Sequence, residues 1–133
     1  MAAVRLSSPK YLRATAWTCA LGLWRANMAW IPVGARNAAE ENRYVLDTFD
    51  CDVLFFQKEF EAPIAALRPQ LAKIKLYVGI DGEAEGAVSL PAWVEGHADT
   101  DLGLTVDLDD VVAISPTGGT TGLPKGVSVS QRA

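Results

Sequence analysis

The spacing of apolar and polar residues predicts a helix at the start of the chain. Its apolar positions recur at three- and four-residue steps, as on one face of an α-helix. Ser8 is the predicted cap and Pro9 the first helical residue, and the helix is predicted to end near Asn27. The residues that set the spacing are Leu12, Ala16, Ala20 and Leu23.

Beyond this helix, short apolar runs alternate with amphipathic segments. The runs predict strands at 28–31 (ending at Pro32), 52–56, 74–78, 111–114 and 127–129. Helices are predicted at 37–48, from a capping box at Asn37 and Glu40 and with Tyr44, Val45 and Thr48 on one side, at 59–68, and around 91–95. The predicted strand 52–56 is apolar on both faces, which is typical of a parallel strand covered by helices. Strands that alternate with helices predict an α/β fold with a parallel sheet and crossover helices.

Length and charge limit the classes of partner. The 133 residues allow one domain, and their net charge is −4. Acidic residues concentrate at Asp81–Glu85 and Asp99–Asp110, which we interpret as solvated loops, and no basic stripe is present. This distribution argues against nucleic acid or an anionic membrane as partner.

The amino-terminal region resembles a signal peptide, but a helix explains it better. Basic residues precede the apolar run Ala14–Trp24, as in a secretory signal, yet no clean cleavage site follows. The run is also too short to cross a bilayer. No transmembrane segment is therefore predicted, and the expected location is the cytoplasm.

Side chains that often carry catalysis or bind metals are few in this chain. Cys19 and Cys51 lie far apart without metal-ligand spacing, so we expect reduced, partly buried thiols. His97 is the single histidine and falls in a polar loop, and no nucleophile-elbow sequence accompanies it. We predict neither a metal site nor a catalytic residue here.

The segment Ser115–Val127 has the composition of a phosphate-binding loop. It lies between two predicted strands and combines glycines, hydroxyls and one lysine. Glycine allows the backbone to approach a ligand, threonine hydroxyls donate hydrogen bonds, and lysine adds a positive charge. The candidate binding residues are Thr117, Gly118, Gly119, Thr120, Thr121, Gly122 and Lys125. The segment is neither a Walker A loop nor a Rossmann fingerprint, because no helix follows it.

This loop resembles the signature of the AMP-forming acyl-CoA synthetases, the adenylate-forming superfamily that includes luciferases and peptide-synthetase adenylation domains. Their pattern is an apolar strand residue, a Ser/Thr/Gly-rich loop and Gly-x-Pro-Lys-Gly, and residues 114–126 fall on it in register. Leu23–Val33 is similar to the family's helix-to-strand segment, with Asn27 in place of the usual glycine. Two further departures are Gly118, where many members carry serine, and Gln131, where many carry histidine near the acyl site.

The resemblance implies a place in a larger enzyme. Residues 1–133 would be part of the large N-terminal AMP-binding domain, ending just after the phosphate loop, with the strand that precedes the first helix missing. The whole enzyme would form an acyl-adenylate from ATP and a carboxylic acid, such as a fatty acid, and then pass the acyl group to coenzyme A. It would use Mg²⁺. The chain itself would bind at most the ATP phosphates, with Lys125 screening the β- and γ-phosphates.

Three interpretations remain open. The chain is a fragment of this ligase, inactive alone and partnered by the missing remainder, or a stand-alone nucleotide- or phosphate-binding module without catalysis, or an interaction protein that uses exposed apolar faces. Exposed Trp24, Trp30 and Trp93 would favour the last interpretation, whereas a tightly closed core would favour the second.

Overall fold

The computed structural model describes residues 2–6, 14–118 and 122–133. The strands are β1 (Ala2–Leu6), β2 (Trp30–Gly34), β3 (Val53–Phe56), β4 (Leu76–Gly79), β5 (Val88–Ser89), β6 (Val111–Thr117) and β7 (Lys125–Ser130). The helices are α1 (Ala14–Arg25), α2 (Ala39–Thr48), α3 (Glu61–Leu67) and α4 (Leu90–Val94), and 3₁₀ turns at Lys58–Phe60 and Arg68–Gln70 flank α3. Within these described residues, no helix combines the length and apolar character needed to cross a membrane.

The strands form a sheet in the order β5-β4-β3-β1-β2-β6-β7. Neighbouring strands are parallel, except that β6 and β7 pair antiparallel as a hairpin. The predicted parallel sheet with crossover helices is confirmed, with this hairpin as an addition. The expected absence of a strand ahead of the first helix is wrong, because β1 precedes α1 and pairs with both β2 and β3.

The interior strand β3 packs into hydrophobic clusters on both faces of the sheet. Leu54 and Phe56 belong to a cluster that also contains residues of α2 and α3, whereas Phe55 belongs to a cluster with residues of α1. All three side chains are buried. The prediction of a strand apolar on both faces is confirmed, and truncating such a buried phenylalanine to alanine typically costs about 3–5 kcal/mol.

The first helix ends in a Schellman motif around Asn27. Its predicted start at Ser8 and Pro9 lies outside the described residues. The N–H of Met28 donates to the Leu23 carbonyl (2.9 Å) and that of Asn27 to the Trp24 carbonyl (3.0 Å). Asn27 itself has φ 52°, so the left-handed conformation expected of the residue that replaces glycine is confirmed.

Two details of the next elements differ from the sequence prediction. Helix α2 begins at Ala39, and its N-cap Ala38 makes no side-chain bond, so the predicted capping box is wrong. The box fails because Asn37 lies one residue too early. Strand β2 continues through Pro32 to Gly34 instead of stopping at the proline. Pro32 is in register with Val4 of β1, whereas β2 pairs with β6 at Trp30, so the ladder to β6 does not require an N–H at Pro32.

The buried face of α2 also differs from the prediction. Asn42, Val45 and Leu46 point into the protein, whereas Tyr44 is only half-buried and Thr48 is exposed. Asn42 donates weakly to the carbonyl of Gly34 at the end of β2 (3.5 Å). The start of α2 is thereby held at the carboxyl end of the sheet.

Candidate functional site

The predicted phosphate loop joins the two strands of the β6–β7 hairpin. Both strands extend further than predicted, so the turn spans 118–124 and Lys125 is the first residue of β7. Of the predicted site residues, Gly119, Thr120 and Thr121 lie outside the described residues. The turn follows the carboxyl end of β6, which runs parallel to β2. Open α/β sheets bind their ligands at this edge.

Thr117 and Lys125 close the hairpin at the base of the turn. They are register partners, and the Thr117 hydroxyl donates to the Lys125 carbonyl at 3.1 Å. The Thr117 hydroxyl, which was predicted to donate to phosphate, therefore has a partner within the hairpin. The Lys125 side chain is exposed, and no carboxylate in the described part of the chain lies within ion-pair distance of its ammonium. Its charge is available to an anion in solution.

Gly118 and Gly122 leave open space beside the backbone of the turn. A Cβ placed at either of them would meet no atom within 4 Å in the part of the chain that the structure describes. An incoming ligand can therefore approach the peptide groups of these two residues from that side. Loop glycines commonly serve this purpose in phosphate sites.

Gly126, the residue after Lys125, is closely packed. A Cβ built there would lie 2.7 Å from Cγ2 of Ile114 and 3.0 Å from Cζ of Phe49. Real Cβ atoms are not found at the shorter of these distances, so a side chain at this position would push the hairpin outward. Phe49 is the residue that follows α2. It packs against the hydrophobic cluster that contains Leu54 and Phe56 (the main hydrophobic cluster).

A cavity of about 510 Å³ lies between the turn and the first turns of α2. It is lined by Glu40, Glu41, Arg43, Tyr44, Gly118, Gly122, Leu123 and Pro124. Arg43 Nε pairs with the Glu40 carboxylate at 2.6 Å. Glu41, the other carboxylate that lines the cavity, forms no such pair with Arg43. Lys125 does not line this cavity, so the predicted site residues divide between the cavity (Gly118 and Gly122) and the adjacent strand (Lys125).

The α2 residues of this cavity were not predicted from the sequence. Nothing in a periodicity pattern signals that a polar residue near position 43 lies beside a loop near position 120. The two segments meet because β2 and β6 are neighbours in the sheet and α2 follows β2. Only the topology therefore reveals Arg43 and Tyr44.

The remaining reactive side chains lie elsewhere. His97 is exposed and borders a separate cavity of about 540 Å³ with Trp93 and Asp99. Cys19 and Cys51 are both buried, and the Cys51 thiol donates to the Val53 carbonyl at 3.2 Å. Burial raises the pKa of the Cys19 thiol from 9.0 to about 11. Among the described residues, no group of three or more His, Cys, Asp or Glu side chains is placed to hold a metal ion.

Comparison with protein families and curated sequences identifies similar proteins. The model of the family described as "AMP-binding enzyme" matches residues 11–133. Indoleacetate–CoA ligase of Aromatoleum aromaticum is 35% identical over 96% of this chain and 24% of its own length. Fatty acid–[acyl-carrier-protein] ligase ScoC of Streptomyces coeruleorubidus is 35% identical over 84% of this chain and 20% of its own length.

Solved structures show the same fold. Anthranilate CoA ligase AuaEII, in complex with anthranoyl-AMP, superposes with a TM-score of 0.87 at 22% identity, over 98% of this chain and 25% of that one. The red-emitting luciferase of Phrixothrix hirtus gives a TM-score of 0.82 at 19% identity, over 98% of this chain and 26% of its own. These likenesses confirm the predicted fold of the large N-terminal domain. The chain spans about a quarter of the length of the indoleacetate ligase and of both superposed structures.

Proposed function

Since the chain belongs to the AMP-binding enzyme family, we propose that it supplies the phosphate-binding part of an acyl-activating ligase. In that reaction a carboxylate attacks the α-phosphate of ATP, which gives an acyl-adenylate and pyrophosphate. The single observation that carries the proposal is the exposed Lys125, without a carboxylate partner in the described chain, near Gly118 and Gly122, which are exposed.

The proposed ligand contacts are those of the turn and its base. Thr117, Gly118, Gly119, Thr120, Thr121, Gly122 and Lys125 would hold the β- and γ-phosphates of ATP. Backbone N–H groups of the turn would donate to phosphate oxygens. The ammonium of Lys125 would stabilise the negative charge that grows on the leaving pyrophosphate, and such electrostatic stabilisation is a large contribution to phosphoryl chemistry.

Among the described residues, no group of three or more side chains is placed to hold Mg²⁺ without the phosphates of the nucleotide. We therefore assign Mg²⁺ no step in this chain and propose it only as a companion of ATP in the whole enzyme.

The acid and the acceptor are proposed from the relatives. ScoC is named as a fatty acid ligase and the Aromatoleum protein as an indoleacetate ligase, so a fatty or an aromatic carboxylic acid is the proposed substrate. Coenzyme A is the proposed acceptor because the Aromatoleum protein is a CoA ligase. An acyl-carrier protein, as in the name of ScoC, is the second acceptor class.

An interaction protein is the second candidate, and an apolar groove favours it. The groove has a volume of about 430 Å³ and is lined by α1, α4 and Phe55. Trp93, which lines the groove, is 37% exposed. Trp24 and Trp30, the other two tryptophans whose exposure would favour an interaction protein, are half-buried. The exposure expected of an interaction surface is therefore seen at one of the three tryptophans.

Titration with inorganic triphosphate tests the phosphate site. NMR of the amides at Gly118, Gly122 and Lys125 should show saturable shifts, and Lys125→Ala should weaken binding by about 1–3 kcal/mol, the range for a charge-assisted hydrogen bond. The matched control is Lys75→Ala, because Lys75 is also exposed but precedes β4, at the opposite edge of the sheet. Higher salt should narrow the difference between wild type and Lys125→Ala, since exposed charges are screened.

Two results would contradict the proposal. Equal binding by wild type and Lys125→Ala would remove the lysine from the site. No shift in wild type would mean that the turn does not bind phosphate, and would leave the groove and its interaction role as the better interpretation.

A second assay addresses the complete reaction. Because the chain spans only about a quarter of the length of the ligases it matches, we expect no pyrophosphate release from the 133 residues with ATP, Mg²⁺ and a panel of fatty and aromatic acids. Turnover above a blank that lacks the acid would show that this chain alone carries the adenylation chemistry.

A further inference from the structure

The hairpin that carries Lys125 is attached to the rest of the protein at identifiable points. Trp30 of β2 pairs with Ala113 of β6, and the indole Nε1 of Trp24 donates to the Val112 carbonyl at 2.8 Å. Both contacts lie toward the start of β6, away from the turn. Close to the turn, a Cβ placed on Gly126 would meet Phe49 Cζ at 3.0 Å and, within the hairpin itself, Ile114 Cγ2 at 2.7 Å.

The contact between Gly126 and Phe49 is specific in its geometry. A Cβ at Gly126 would lie 3.0 Å from Cζ and 3.3 Å from Cε2 of Phe49, so the backbone of β7 runs directly over the ring edge. The position of the ring is fixed from the α2 side. The backbone N–H of Phe49 donates to the Val45 carbonyl in the last turn of α2, and the Phe49 side chain packs against the main hydrophobic cluster.

The position of Lys125 follows from this support. Successive residues of a strand point to opposite faces, so Gly126 faces the ring while the adjacent Lys125 points to the other side. Lys125 is tied to the neighbouring strand β6 by the Thr117 hydroxyl, which donates to the Lys125 carbonyl. Any tilt of the hairpin about the attachment of β6 near Ala113 would therefore displace the ammonium of Lys125.

We infer that Phe49 is a positioning residue of the phosphate site: its ring supports β7 beneath Gly126 and so fixes the place of Lys125. This role rests on the proposed function, since it concerns the same phosphate site. Phe49 is not among the proposed phosphate ligands. It lies between the end of α2, whose first turns line the cavity, and the strand β7 that follows the opposite wall of that cavity.

Two substitutions at position 49 and one control distinguish the positioning of β7 by Phe49 from a general loss of protein stability. Phe49→Ala removes the ring, whereas Phe49→Leu keeps an apolar side chain of similar reach. Phe60→Ala is the control, because Phe60 packs against the same cluster but lies in the turn before α3. Gly126→Ala is the second route to the same effect, since its Cβ would meet Ile114 and Phe49 and lift the strand.

The first measurement asks whether the ring is seated beneath the hairpin. Aromatic ring currents shift the resonances of nearby protons, so the Gly126 Hα signals of the full chain should move in Phe49→Ala and in Phe49→Leu but not in Phe60→Ala. Unchanged Gly126 signals in Phe49→Ala would overturn the inference without any use of a ligand.

The second measurement is triphosphate binding by the same proteins. Phe49→Ala and Gly126→Ala should weaken it about tenfold, because misplaced charge-assisted contacts lose most of their strength. Phe49→Leu should restore binding to near the wild-type value, and Phe60→Ala should leave it unchanged.

The outcomes distinguish this inference from the proposed function. If wild type binds triphosphate and Phe49→Ala binds it equally well, the inference fails and the proposed function stands. If wild type does not bind triphosphate, the proposed function fails and the positioning role falls with it. If Phe49→Ala does not fold, Gly126→Ala decides, and its equal binding would overturn the inference.

Discussion

Substituting Gly86 by alanine tests a cluster formed by Arg68, Tyr77 and the loop before β5. Gly86 has φ 68°, in the left-handed region that favours glycine. A Cβ there would collide with Nη1 of Arg68 and lie 2.8 Å from its Cζ. The guanidinium would have to leave its place 4.2 Å above the Tyr77 ring, together with its hydrogen bond to the Glu85 carbonyl (3.3 Å).

The expected loss can be divided into a backbone part and a side-chain part. A left-handed backbone costs a residue with a Cβ about 1 kcal/mol relative to glycine. Displacing Arg68 adds about 1–2 kcal/mol, from the cation–π contact and a weak charged hydrogen bond at a partly exposed site. Gly86→Ala should therefore lower the free energy of unfolding by about 2–3 kcal/mol.

Gly96→Ala is the matched control for the backbone part. Gly96 has φ 78°, and a Cβ built on it meets nothing within 4 Å. It should lose only about 1 kcal/mol. Urea unfolding followed by far-UV circular dichroism measures both variants, and equal losses would show that the Arg68 cluster contributes nothing.

The ionisation of Tyr77 gives an independent signal. Burial raises the pKa of the Tyr77 hydroxyl, and the charge of Arg68 partly lowers it. Moving the guanidinium away in Gly86→Ala should raise this pKa further, which absorbance titration at alkaline pH detects. A lower pKa for Tyr77 in the variant would refute the reasoning.

Four further predictions follow from other contacts. Trp24→Phe should lower the free energy of unfolding by about 1 kcal/mol through the lost bond to the Val112 carbonyl, and an unchanged urea midpoint would contradict this. Asn27→Gly should raise that free energy by about 0.5–1 kcal/mol because Asn27 is left-handed, whereas a lower urea midpoint would argue against strain there. The rate at which iodoacetamide alkylates Cys19 should rise with pH up to about pH 11, and Cys19→Ala identifies the signal of this residue. Because the pKa of Cys19 in the folded protein is raised above 9.0, the protonated thiol favours the folded state. This contribution to the free energy of unfolding is present below pH 9 and is lost as the pH rises to about 11. Calorimetry of the isolated chain should show a broad transition, because β5 and β7 are open edges of the sheet, and a sharp two-state peak would be the opposite result.

The parts of the fold that the sequence predicted are those whose pattern is local. The strand β3 was recognisable because each of its residues is apolar, and the structure buries it on both faces. The end of α1 was recognisable because asparagine tolerates a left-handed backbone, and Asn27 adopts it. The turn between β6 and β7 was recognisable from its glycines and threonines.

The parts that escaped prediction depend on distant neighbours. The segment Ala2–Leu6 has no periodicity that marks a strand, and it becomes one by pairing with β2 on one side and β3 on the other. The extension of β6 and β7 follows from their mutual pairing up to Thr117 and Lys125, which draws the lysine out of the turn and into a strand. The contact of Phe49 with Gly126 joins residues far apart in the chain and leaves no trace in composition.

The place of the hairpin in the sheet has a consequence for how the protein folds. The strands β6 and β7 are adjacent in sequence, so their pairing closes a short loop, and hairpins of this kind form within about 1–10 μs. Docking of the hairpin onto β2 and α1 instead joins distant residues, such as Trp24 and Val112, which are 88 positions apart. Closing so long a loop of chain is slower than closing the hairpin. We expect the Thr117–Lys125 pair to be protected early and the Phe49 contact to form in the last step of folding. Pulse-labelled hydrogen exchange during refolding tests this order, and simultaneous protection of the hairpin and of β2 would exclude it.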